Sequence, residues 1–155
     1  MTGGVVLVSG PTNSGNGAFD YDGTATVTGG ILLALGSSGM AQSATGQNSF
    51  MTNITTQQGN STFAVCDSKG NILVSFTPMK QYQNVVLSSA SLVVGESYSI
   101  VVGGTVTGAD SYGFTSEGTI SGGTVVATVQ QSSANVGGSG GMGGGPGGSR
   151  PQKPW

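Results

Sequence analysis

NSGNGAFDYDGTATVTGGILLALGSSGMAQ, residues 13–42, decides how this chain is read, because it joins its acidic pair to the clearer copy of a repeated strand. Asp20 and Asp22 are two of only six acidic residues, and they stand between Gly17 and Gly23 just ahead of the strand-like run Thr24 to Leu35. Two carboxylates at that spacing, with glycine on both sides, suit a tight polar turn whose oxygens converge on a hard cation such as calcium. The alternative is that the segment satisfies its own backbone through Asx turns and holds no metal.

Outward from this stretch the repeat appears. Thr2-Gly3-Gly4-Val5-Val6-Leu7-Val8-Ser9-Gly10 and Thr28-Gly29-Gly30-Ile31-Leu32-Leu33-Ala34-Leu35-Gly36 share Thr-Gly-Gly, a short apolar strand and a closing glycine, 26 residues apart (28 − 2). That period falls among solenoid coils, whose short strands stack in parallel and whose glycines mark corners and close backbone approach. Two coils cannot bury their own faces, so the pattern predicts further coils upstream of Met1. The competing reading is that a glycine pair before a strand is an ordinary turn in a glycine-rich β protein.

Composition narrows the class. Of 155 residues, 6% are charged, 30 are glycine and none is histidine. Four Lys+Arg in the whole chain cannot neutralise a run of phosphates, which argues against a nucleic-acid partner. The runs VVLV, ILLALG, VVLSS, SIVV and TVVATV carry enough β-branched and aliphatic surface to fold, and their setting among Gly, Ser and Thr reads as all-β with many turns. Cys66 stands alone inside Phe63 to Cys66, as a small core residue rather than a reactive thiol. No apolar run is long enough to cross a bilayer as a helix, so no membrane insertion is expected; no signal peptide is visible at Met1-Thr2-Gly3-Gly4, so the leader of a secreted protein would lie upstream.

The remaining chain reads as a different β unit. Residues 37–60 are polar, with Phe50, Met51 and Ile54 as anchors, and suggest a connector with one short strand. Phe63 to Cys66 and Ile72 to Phe76 flank the turn-rich Asp67-Ser68-Lys69-Gly70-Asn71, a hairpin ended by Pro78. Asn84 to Ser88, Ser97 to Val102 and Thr124 to Val129 supply further strands, and Gly95 a turn. The fold class that follows is all-β, with three segments: residues 1–46 as the last coils of a parallel β-helix, 47–134 as a small antiparallel β unit capping its edge, and 135–155 as a flexible Gly/Pro-rich tail. Trp155 at its end is free to stack on a ring-shaped ligand or to do nothing.

The strings GNGAFDYDG, TATVTGGILLALGSSGMAQ, SFTPMKQYQNVVLSSASLVVGESYSIVVGG and ISGGTVVATV resemble the C-terminal portion of a family of secreted bacterial carbohydrate-binding proteins. Those proteins have a right-handed parallel β-helix of the pectate-lyase type. The resemblance covers the chain to about residue 134 and includes the Gly-Met-Gly-rich end. It implies an extracellular or cell-surface protein that binds plant cell-wall polysaccharide such as cellulose or pectin, with bound calcium. The family's recurring loop G-D-G-[IL]-D-x-[DN]-G corresponds, with one residue more, to Gly15-Asn16-Gly17-Ala18-Phe19-Asp20-Tyr21-Asp22-Gly23, where Asn16 replaces the first aspartate and lowers the local charge.

The expected site follows from these residues. Asp20 and Asp22 would hold calcium with help from Asn16, Asn13 or backbone carbonyls, and the ion would order the turn or bridge to an acidic sugar. Phe19 is expected in the core and Tyr21 outward, where its ring can lie against a pyranose face. Catalysis is not expected, since neighbouring carboxylates on one turn do not straddle a glycosidic bond and without histidine no Ser-His-Asp triad forms. A purely structural alternative also fits the low charge: the capped end of an adhesin or surface fibre.

Overall fold

The computed structural model describes residues 1–137. Among them the chain is all β, with no helix and thirteen strands: β1 (Thr2–Ser9), β2 (Thr26–Val27), β3 (Gly29–Gly36), β4 (Thr45–Gly46), β5 (Ser49–Gln57), β6 (Phe63–Cys66), β7 (Ile72–Phe76), β8 (Tyr82–Ser89), β9 (Ser97–Val102), β10 (Thr105–Val106), β11 (Ile120–Ser121), β12 (Thr124–Gln130) and β13 (Asn135–Val136).

The two Thr-Gly-Gly strands stack as their repeat predicts. β1 runs parallel to β3, with Val5 beside Ile31, Leu7 beside Leu33 and Ser9 beside Leu35. A second parallel pair sets Thr26 of β2 beside Thr45 of β4. The glycine pairs are needed because both strands kink at the same level: Gly4 and Gly30 each take φ 81. Only glycine enters that region without strain. A Cβ on Gly30 would also overlap the carbonyl oxygen of Gly4, and one on Gly29 that of Thr2.

The stacking of coils stops there, so these pairs alone do not make a β-helix. The other edge of β3 pairs with β8, antiparallel, with Leu33 beside Leu87. β5 pairs antiparallel with β8 in turn, and β13 runs parallel to β5. The sheet therefore has the order β1-β3-β8-β5-β13, with only β8 running against the rest. The boundary expected at residue 46 does not separate one body from another, because β5 and β8 continue the sheet that β1 and β3 begin. An unpaired edge on β3 would leave backbone N–H and C=O groups beside a buried core, and the aliphatic β8 removes that cost. β5 spans nine residues, longer than the short strand expected in the connector.

A second sheet, β12-β9-β6-β7, is antiparallel throughout and includes the expected β6–β7 hairpin. The two sheets enclose one core. Leu33, Leu35, Phe50, Val85 and Leu87 enter it from the first sheet and Phe63, Val65, Val74, Tyr98 and Ile100 from the second. Alternation along each strand puts them there, and each such side chain contributes roughly 1.5–3 kcal/mol on burial.

Two smaller clusters lie outside this core, formed mostly by residues of opposite parity; Ile72, of the same parity as Val74, joins one of them across the bulge between Val65 and Cys66. Leu32, Val27 and Ala44 pack with Met1 and Phe19 under the N-terminal turns of chain. Ala64, Cys66, Ile72 and Val101 pack with Val106 and Ile120 of the β10 and β11 pair. Cys66 is thus a buried core residue, and burial, with Asp67 nearby, pushes its thiol pKa up.

β13 falls in the stretch expected to be a flexible tail. The buried side-chain amide of Gln131 fixes this end by donating to the carbonyls of Ser49, Ser133 and Ala134. The rest of that tail, including Trp155, lies outside the described residues.

Candidate functional site

The acidic loop is carried by the stacked turns. Beyond β1 and β3 the two turns of chain stay in contact: Gly10 N donates to Leu35 O, Ser37 N to Pro11 O, Gln42 N to Phe19 O and Thr45 N to Ala25 O. Gly17 is buried against Ala41, and Gly39 lies so close to Ser14 that neither glycine has room for a Cβ. Along this stack the sequence separation of bonded residues falls from 27 at Met1 and Thr28 to 20 at Ala25 and Thr45. The first turn is therefore longer than the one beneath it. Its extra chain is taken up between Ser14 and Thr24, where Asp20, Asp22, Gly23 and Thr24 are exposed.

Asn16, Asp20, Tyr21 and Asp22 line one open depression of about 350 Å³, with Met40 from the second turn at its side. Four of the five residues expected at the site are thus brought together. Asn13 is not among them: its side-chain oxygen accepts from Gly15 N at 3.2 Å, closing a small turn. Asn16 borders the depression, but its side-chain oxygen accepts from Gly17 N at 3.0 Å.

Tyr21 is less outward than expected. It is half-buried, its hydroxyl donates to Ser43 O at 2.8 Å, and its backbone N–H donates to the Gln42 side chain at 2.9 Å. Its ring meets that of Phe19 at 5.2 Å in a tilted pair, and Phe19 packs on the Val27–Leu32–Ala44 cluster as expected. Tyr21 is consequently a fixed wall of the depression rather than a free platform.

The two aspartates differ from others in the chain. Asp67 Oδ1 accepts from Lys69 N and Asn71 N, and its Oδ2 from the Asn71 side chain; these bonds hold its carboxyl below the usual range. Asp110 Oδ1 accepts from Tyr112 N and Phe114 N. Among the described residues no such bond ends on Asp20 or Asp22. In this loop Asn13 and Asn16 close the turns, and the carboxylates are left over.

That donor set does not by itself complete a site for a hard cation. A pair of carboxylates offers at most four oxygens, while calcium takes roughly 6–8. Among the described residues no group of three or more His, Cys, Asp or Glu is assembled for a metal. The set fits an ion whose remaining ligands come from water, main-chain carbonyls or a bound acidic sugar; it does not fit a closed, all-protein cage.

Two hollows escaped the sequence reading. One, of about 430 Å³, has Asp67, Lys69, Asn71, Glu96 and Tyr98 around an apolar floor of Ile72 and Leu73. The other, of about 380 Å³, is mainly apolar and lies between Val5 and Leu7 of β1 and Phe76, Met79 and Tyr112. Tyr112 is 71% exposed, yet its backbone is pinned to Asp110 Oδ1 and to Thr77 N. The only sequence signal for it was a tyrosine inside a turn-rich loop, Asp110-Ser111-Tyr112-Gly113.

In comparisons with family models, curated proteins and solved structures, nothing matches this chain.

Proposed function

We propose that this chain binds an acidic polysaccharide of the plant cell-wall type without cleaving it, through a calcium ion held by Asp20 and Asp22. In this reading residues 1–46 are terminal coils of a right-handed parallel β-helix and the β sandwich that follows closes their edge. The observation that carries the site is the pair of exposed carboxylates left unbonded in an open depression, while Asp67 and Asp110 are spent on their own turns. Calcium would supply charge neutralisation and oxygen coordination, so that a sugar carboxylate can approach two like charges. Asp20 and Asp22 hold the ion, the backbone bond from Tyr21 to Gln42 fixes the loop between them, and the Tyr21 ring forms one wall for a pyranose.

A carboxylate pair on one side of an open depression has no partner across it, which favours binding over glycosidic cleavage. Lys69 and Lys80 belong to other loops, so neither serves as a base beside these aspartates. A structural role in a surface fibre is the second reading, favoured by the way β8 seals β3.

Retention on insoluble cellulose and on immobilised polygalacturonate, with and without a chelator, separates the two. Binding to polygalacturonate that the chelator abolishes supports the proposal, and no retention on either polymer supports the structural role.

A further inference from the structure

Among the described residues no strand pairs with the outer edge of β1, which is built like an edge that is normally occupied. β1 contains no charged residue and no proline, the usual guards of an exposed strand. Both of its faces open onto apolar hollows. On one, Val5 and Leu7 face Phe76, Met79 and Tyr112; on the other, Val6 lies with Phe19, Val27 and Leu32. Val6 is 42% exposed, whereas Leu32, its register partner on β3, is 4% exposed. The difference is that β3 has a strand on each side, whereas among the described residues β1 has one on a single side.

Glycine placement says what kind of neighbour fits. Gly29 must be glycine because a Cβ would strike Thr2 O of the strand beside it. Its counterpart Gly3 has an ordinary φ and nothing within 4 Å of a Cβ, so nothing among the described residues requires glycine there. A parallel strand lying on β1 as β1 lies on β3 would require it, since that strand's carbonyl would occupy the same place. Gly4, already at φ 81, supplies the matching kink.

We propose that the β1 edge captures a parallel strand of its own pattern, Thr-Gly-Gly followed by four aliphatic residues, as a further coil of the same solenoid presents it. This rests on the coil reading of residues 1–46 but not on sugar or calcium binding. Backbone hydrogen bonds would supply affinity, and the aliphatic side chains, alternating into the two hollows, would supply selectivity.

The test is a fluorescent peptide copying Thr2–Ser9, with a solubilising lysine pair, titrated into the intact chain and followed by anisotropy. Saturable binding is expected, weakened at least about tenfold by Gly3→Ala in the protein or by alanine at both peptide glycines. Gly3→Ala should leave the circular dichroism and unfolding midpoint unchanged, so the loss is not a failure to fold. Absence of binding, equal binding of a scrambled peptide, or indifference to Gly3→Ala would overturn the proposal. So would sedimentation showing the edge already filled by a second copy. A polysaccharide result of either sign leaves this readout untouched, so the two proposals fail separately.

Discussion

The carbonyl oxygen of Gly4 occupies the place where a Cβ on Gly30 would sit, while Gly30 itself stands at φ 81. Steric overlap and backbone strain thus fall on one residue, at the kink that aligns β1 with β3. Gly30→Ala should cost more than about 2 kcal/mol in urea unfolding, because neither the backbone nor its neighbour has room to relax. Gly3→Ala, in the glycine pair of the first repeat, is expected to stay within about 0.5 kcal/mol of wild type. Equal effects of the two would mean that the strands do not stack as described.

Asp20 and Asp22 close no turn, so their removal should not unsettle the fold. Asp20→Ala and Asp22→Ala are each expected within about 0.5 kcal/mol of wild type by thermal or urea unfolding without added metal. Asp110→Ala, which strips an acceptor from Tyr112 N and Phe114 N, should cost about 1 kcal/mol. If the Asp20 or Asp22 variants cost as much as Asp110→Ala, the carboxylates cap turns and the site proposal loses its basis.

The Asp67 turn should respond to acid. Its folded-state pKa is lowered, first by the Asn71 side chain and then by the backbone amides of Asn71 and Lys69. The stabilisation is therefore complete above the unfolded-state value and is lost as pH falls through the lower folded-state value. Protection factors at Lys69 and Asn71, the NMR exchange rates taken relative to the intrinsic rate at each pH, should fall over that window. Asp67→Asn should abolish the pH-dependent component of the change; an unaltered profile in that variant would assign it to another group.

Ser75 is buried and holds the loop that shields β7. Its hydroxyl donates to Gly113 O at 2.7 Å and accepts from Thr115 N at 3.1 Å. Ser75→Ala leaves a buried amide and a half-buried carbonyl without this partner and should cost about 1–3 kcal/mol. Hydrogen exchange should quicken at Thr115 and at Thr77, whose amide donates to Tyr112 O, while β3 and β8 stay protected.

What could be read from the sequence was local. The Thr-Gly-Gly repeat announced the parallel pair because the shared kink needs glycine at Gly4 and Gly30. Apolar β-branched runs announced β7 and β9, and the Asp67–Asn71 turn announced the hairpin. The placement of β8 between β3 and β5 was not legible, because a strand such as Asn84 to Ser88 carries no mark of which edge it will satisfy. β2 and β4, at two residues each, are too short to show alternation.

At the site, the sequence named the residues and missed their division of labour. Asn13, Asn16, Asp20 and Asp22 all offer a side-chain oxygen to nearby amides. Only the path of the loop over Ala41 and Gln42 determines which oxygens are consumed. Tyr21 turned inward to some extent for a similar reason: Ser43 O, brought beneath it by stacking, is a better partner for its hydroxyl than an open loop would offer.

The calcium isotherm of the intact chain, measured by titration calorimetry with and without short oligogalacturonates, tests the binding proposal most directly. Two carboxylates alone give a weak site, so affinity should rise by about tenfold or more when the sugar completes the coordination, and Asp20→Asn with Asp22→Asn should abolish the gain. An isotherm that oligogalacturonate leaves unchanged, or a gain that survives the double substitution, would contradict it.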